Sequence, residues 1–134
     1  MQEDVGPNAV RNLEIWRDGI GIARAVYLLS REWRQEEKYG LIAQVRRAAI
    51  SIPSNLAEGV GRGAPAETRR FARIALGSIY ELDTLLQLSV ELGMAPAEEV
   101  LPLREWLCVT GRRVSSFIAY QTTRVERRSP ATCS

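Results

Sequence analysis

The stretch PAETRRFARIALGSIYELDTLLQLSVELG, residues 65–93, decides the fold. Pro65 suits the first position of a helix, where its missing N–H is not needed, and Glu67 is favourable in the first turn. Gly93 suits the left-handed cap that ends such a helix. Between them apolar residues recur at helical spacing on two stripes rather than one. The first stripe holds Phe71, Ala75, Ser78, Leu82, Leu85 and Leu92; the second holds Ala72, Leu76, Ile79, Leu86 and Val90. A helix apolar this far round must be covered on two sides. In a bundle one side faces the core, so the second stripe is the candidate oligomer interface, with Gly77 and Ser78 small enough for close backbone approach. The alternative is a central helix in a lopsided bundle.

Working outward, Leu13, Trp16, Ile20, Ala23 and Tyr27 share one helical face within residues 8–33. The polar stretch Arg34 to Lys38 connects this helix to a second over 39–62. Pro53 interrupts that helix, because proline cannot donate to the carbonyl of Ala49 and crowds the preceding turn. The result is either a kink at Ser51 to Ser54 or a true helix end, with Asn55 and Glu58 as a restarting cap pair. Pro96, Glu98 and Glu99 open a last helix over 96–124, and residues 127–134 read as a disordered tail. No segment alternates with period two, so strands are not expected. With 134 residues, 46% of them hydrophobic, the chain fits one domain over 1–134 that can bury its own core. The predicted fold is all-α, an antiparallel up-down-up-down four-helix bundle assembling into a homo-oligomer.

Several chemistries are disfavoured. Gly59-Val60-Gly61-Arg62-Gly63-Ala64 has dinucleotide-loop spacing, but a helix rather than a strand precedes it, so it reads as an inter-helix turn. With no histidine in the chain, neither a zinc site nor a histidine-activated nucleophile can be assembled, and no metal, cofactor or catalytic residue is expected. Glu58 and Glu81 could do acid–base work, but glutamates beside a bundle core are more often paired with arginine. Cys108 and Cys133 are expected to be free thiols in a reducing cytoplasm. No apolar run approaches the roughly 18 residues that span a bilayer, so no membrane partner is expected.

The net charge is only +2, so position matters more than number. Residues 46–73 carry six Arg against two Glu, residues 74–111 one Arg against six carboxylates, and residues 112–134 five Arg against one Glu. Up-down-up-down topology gathers the end of the second helix, the start of the third and the end of the fourth at one basic pole. An acidic pole lies roughly 37 Å away for helices of about 25 residues, well beyond a Debye length of about 8 Å. Cations at helix C-termini are ordinary, but Arg69, Arg70 and Arg73 sit toward the positive end of their helix, and Arg69 repels Arg73 at i,i+4. Arg46, Arg47, Arg62, Arg69, Arg70 and Arg73 therefore form the candidate nucleic-acid-binding patch. A solvated basic face without a ligand is the competing reading.

The run Gln44-Val45-Arg46-Arg47-Ala48-Ala49-Ile50-Ser51-Ile52-Pro53-Ser54-Asn55-Leu56-Ala57-Glu58-Gly59 resembles the signature of the 23S rRNA intervening-sequence proteins. A second block, with Glu67, Arg70-Phe71, Arg73 through Ser78, Glu81-Leu82 and Leu92-Gly93, is similar to the same family. The resemblance implies a homopentameric barrel of four-helix bundles, no established activity, and a link to nucleic acid. Some members are encoded within ribosomal RNA insertions, and related proteins are accessory factors of diversity-generating retroelement reverse transcriptases. That second group is strongly basic, whereas this chain is near neutral. The family's polar start to the third helix is here Ala64-Pro65-Ala66. Two functions are thus expected: a non-enzymatic RNA- or DNA-binding accessory protein, or a scaffold that binds a protein partner. Unpaired surface arginines would favour the first and exposed aromatics the second.

Overall fold

The structure is a computed structural model that describes residues 7–37 and 40–128. It is helical throughout: α1 (Pro7–Arg11), α2 (Glu14–Ser30), α3 (Leu41–Gly61), α4 (Pro65–Glu91) and α5 (Ala97–Arg128), with a 3-10 turn at Gln35–Glu37. No strand occurs among the described residues. Each of α2, α3, α4 and α5 packs on two of the others in the cyclic order α2–α3–α4–α5, and the diagonal pairs make no close backbone approach. This is the arrangement of a four-helix bundle. Its axis is filled by fully buried Ile22, Val26, Val45, Ile52, Leu82, Leu86, Leu107 and Val114. Within each helix these recur at four- or seven-residue steps, the spacing that sets one helix face toward a core.

The helix over 65–92 forms as expected, with Pro65 in its first turn and Gly93 just beyond it at φ 71°. Elsewhere the boundaries shift. The first predicted helix is broken, because Leu13 takes an extended conformation (φ −77°, ψ 120°) between α1 and α2. It also ends at Ser30 rather than Trp33. The second predicted helix runs without interruption through Pro53, so the helix-end alternative is not realised. Instead of capping a restart, Asn55 donates back to the carbonyl and hydroxyl of Ser51, both at 2.8 Å. Pro53 is seated against Gly19 of α2, where an added Cβ would lie 3.2 Å from the ring. The last helix extends past 124, so Arg127 and Arg128 belong to its final turn rather than to a tail. Basic residues there favour the negative end of the helix macrodipole. Residues 129–134, including Cys133, lie outside the described residues; Cys108 is a free, exposed thiol.

Both apolar stripes of α4 are covered within the chain, apart from Leu92 at the end of the first, which is exposed. Of the predicted interface residues, Ala72, Ile79 and Leu86 are buried in the chain's own core. Leu76 and Val90 are half-buried and packed against it. The cover comes from α5: a Cβ built on Gly111 would lie 3.6 Å from Ile79 Cγ2 and 3.9 Å from Leu76 Cδ1. The second stripe therefore does not call for another subunit. What α4 leaves exposed is a third line, with Ile74, Gly77, Tyr80 and Leu88.

Candidate nucleic-acid interface

The turn between α3 and α4 organises the basic pole. Thr68, buried in the first turns of α4, donates its hydroxyl to the carbonyl of Gly59 at 2.8 Å and so ties the two helix ends together. Gly59 is needed for that approach: a Cβ there would lie 2.8 Å from Phe71 Cβ and 3.1 Å from the Thr68 carbonyl oxygen. The tie seats Phe71 beside the turn, with the Arg62 and Arg70 guanidiniums 5.2 and 5.1 Å from its ring centroid. Both distances are within cation–π reach. The two arginines also pair with neighbouring carboxylates, Arg62 with Glu58 at 2.9 Å and Arg70 with Glu67 at 3.1 Å. All four side chains are largely exposed, so these pairs are screened and exchangeable rather than locked.

Arg69 and Arg73 are different. Neither makes a hydrogen bond or ion pair among the described residues, and they flank Phe71 in the first turns of α4. Arg127, in the last turn of α5, likewise has no partner among the described residues. Four of the six predicted arginines, Arg62, Arg69, Arg70 and Arg73, thus lie together on the α3–α4 corner.

Arg46 and Arg47 do not join them. They precede Arg62 by about four turns of α3, roughly 22 Å along the axis at 1.5 Å per residue. Both are also engaged. Arg46 donates Nε to Ser30 Oγ at 2.9 Å and lies 4.5 Å over the Tyr27 ring. Arg47 donates to Gln44 at 2.9 Å and forms a close ion pair with Glu81. They stitch α3 to α2 and α4. The sequence count placed six like charges in one segment, but a straight helix carries its two ends to opposite halves of the molecule.

Of the two glutamates expected to pair with an arginine across helices, Glu81 does so with Arg47, whereas Glu58 pairs with Arg62 at i,i+4 on the end of its own helix. In the other half of the molecule Arg104 binds Asp83 with both ends of its guanidinium, at 2.8 and 3.1 Å. Those hydrogen bonds raise the arginine's pKa above its usual value, burial pulls it down, and the charge of Asp83 adds to the rise. Among the described residues no group of His, Cys, Asp or Glu side chains could hold a metal ion. No described helix is long and apolar enough to cross a membrane.

This corner, with an arginine-rich α4 start following the Gly59–Gly63 turn, falls within residues 11–115, which match the model of the 23S rRNA-intervening sequence protein family. The chain belongs to that family. The match takes in α2, α3 and α4 and runs into α5 as far as Ser115. A search of curated proteins returns no match. Sequence reasoning passed over two features. One is a groove of about 730 Å³ between α4 and α5, rimmed by Tyr80, Leu101 and Cys108. The other is a cavity of about 420 Å³ at the basic pole, bounded by α1, the α3–α4 turn and the end of α5. Their walls come from residues distant in sequence, and no local pattern marks them.

Proposed function

We propose that the chain is a non-enzymatic accessory protein that binds RNA at its basic pole and works in the cytoplasm as a homo-oligomer, the pentamer that its family implies. The observation that carries this reading is the pair Arg69 and Arg73. They are charged, exposed or half-exposed, unpartnered among the described residues, and set toward the helix end that least favours cations. Each such placement costs a few tenths of a kcal/mol, about what one surface phosphate contact repays. Repeating the pole around an oligomer multiplies weak contacts into useful avidity. The exposed apolar side chains of α4, Ile74, Tyr80 and Leu88, supply surface through which chains could associate.

The test is fluorescence anisotropy with structured RNA and with duplex DNA over a salt series, beside the Arg69→Glu, Arg70→Glu, Arg73→Glu triple variant held to unchanged oligomer mass. For about five neutralised phosphates, duplex affinity falls roughly 10² to 10³-fold between 50 and 200 mM salt. Binding with that slope, lost in the variant, supports the reading; no binding at low salt rejects it.

A second reading rests on the groove between α4 and α5. Tyr80 is 63% exposed and Leu101 54% exposed, and exposed apolar anchors beside a groove suit a protein partner. In that reading the chain is a scaffold, and the arginines of the pole only solvate it. Retention of a cellular partner by the triple variant, with its loss in Tyr80→Ala, would favour the scaffold.

A further inference from the structure

The cavity at the basic pole is walled by Val60 and Gly61 from the end of α3, by Phe117, Tyr120 and Gln121 from α5, and by Leu13 beside α1. Its volume of about 420 Å³ falls in the range of small-molecule sites, about 300–1,000 Å³. The lining is mostly apolar and aromatic with one buried amide. Gln121 is 3% exposed, and its carbonyl oxygen accepts from Arg124 Nη1 at 3.3 Å. That bond fixes which end of the amide is used. The NH2 end has no hydrogen-bond partner among the described residues, and it is not one of the fully buried unpartnered polar atoms, which are Trp33 Nε1 and Thr110 Oγ1. Arg124 also lies 5.9 Å from the centroid of the Tyr120 ring.

We propose that this cavity takes one unpaired nucleobase of a bound RNA strand, its faces against Phe117 and Tyr120 and an acceptor on its edge receiving the Gln121 NH2. The inference rests on the basic-pole reading above and adds what that pole grips besides phosphate. Flat aromatic walls suit a base because every base offers a π-face, and stacking on aromatic side chains tolerates any sequence. The amide suits one because base edges carry ring-nitrogen and carbonyl acceptors. Unpaired bases that can be splayed out of a stack are the usual targets of RNA recognition. The α5 wall, Phe117 to Arg124, lies beyond the segment 11–115 that matches the family model, whereas Leu13, Val60 and Gly61 lie within it.

The test uses the whole protein, a short fluorescent oligouridylate, and an abasic strand of the same length and charge. Two variants accompany it. Gly61→Leu fills the cavity mouth: a Cβ at Gly61 meets nothing within 4 Å, so the change should fold and leave the charge untouched. Gln121→Leu removes the amide at similar size. The expected result is a preference of about tenfold or more for the base-bearing strand, reduced severalfold in Gln121→Leu and close to abolished in Gly61→Leu, with abasic binding unchanged. Equal binding of the two strands by the unaltered protein would overturn the base pocket and leave the basic-pole reading standing. Retention of the preference in Gly61→Leu would place the base elsewhere and also overturn it. Failure of both strands to bind at low salt would remove both readings together.

Discussion

Gly59 and Gly77 have opposite surroundings, and alanine at the two positions is expected to move stability in opposite directions. At Gly59 the new methyl meets backbone of α4, with Thr68 Cα at 3.2 Å, so the helices must part or Thr68 must give up its bond to the Gly59 carbonyl. Overpacking of this kind typically costs about 1–3 kcal/mol, more than the ~1 kcal/mol gained in helix propensity. Gly77 has nothing within 4 Å of its would-be Cβ. There Gly77→Ala should add about 0.5–1 kcal/mol, a rise of roughly 2–4 °C in Tm. Thermal unfolding of both variants checks the pair. Loss of stability and oligomer mass together in Gly77→Ala would show a second chain packed against Gly77 itself, rather than only against the larger Ile74, Tyr80 and Leu88 side chains of that line. Neither contrast was legible beforehand. The stretch from Gly59 to Gly63 reads as one loose turn, yet Gly59 is a tight helix contact while Gly63, at φ 75°, is the residue that supplies the turn.

At the scale of elements, α4 was legible almost to the residue because Pro65 and Gly93 are strong signals at its two ends. Where such signals are lacking, the reading slipped. Nothing in the sequence at Asn12 and Leu13 marks a break, so α1 and α2 share one continuous helical pattern. No stop residue precedes Arg128, so α5 runs longer than expected. Pro53 misled in the other direction, since packing against Gly19 holds α3 on course through the lost hydrogen bond. Within α4 the arginines conflict with the helix they occupy. Arg69→Glu converts the i,i+4 repulsion from Arg73 into an attraction of the favoured orientation, worth about 0.5–1 kcal/mol in total. The expected outcome is a protein about 2–4 °C more stable with weaker RNA affinity. Calorimetry and anisotropy on the same sample check the trade. A variant both less stable and equally able to bind would mean that Arg69 serves the fold alone.

Over the whole molecule, up-down topology made the basic pole foreseeable. It brings the end of α3, the start of α4 and the end of α5 to one end without any long-range contact having to be guessed. The same reasoning, applied by segment rather than by height along the helix, wrongly placed Arg46 and Arg47 in that pole. The cavity beside Gln121 escaped because a polar residue on a long helix reads as solvent-facing, and only the assembled ends of three helices bury it. The second apolar stripe of α4 was visible, but its cover proved to be α5. On α4 the apolar surface left for the proposed assembly is the exposed line with Ile74, Tyr80 and Leu88. Tyr80→Ser combined with Leu88→Ser is expected to reduce the mass measured by light scattering while leaving helix content unchanged. Unaltered mass would show that chains meet through another face.

The central claim is that binding resides at one end of the bundle, and a comparison of matched charge reversals tests it most directly. Arg69→Glu with Arg73→Glu alters the basic pole; Arg24→Glu with Arg31→Glu alters exposed positions in α2 and just after it by the same net charge. RNA affinity is measured for both across 50 to 200 mM salt. The prediction is at least a tenfold loss and a salt slope shallower by about two contacts in the first variant, with affinity and slope in the second close to the unaltered protein. Equal losses in the two variants would show that only net charge matters and would contradict the claim.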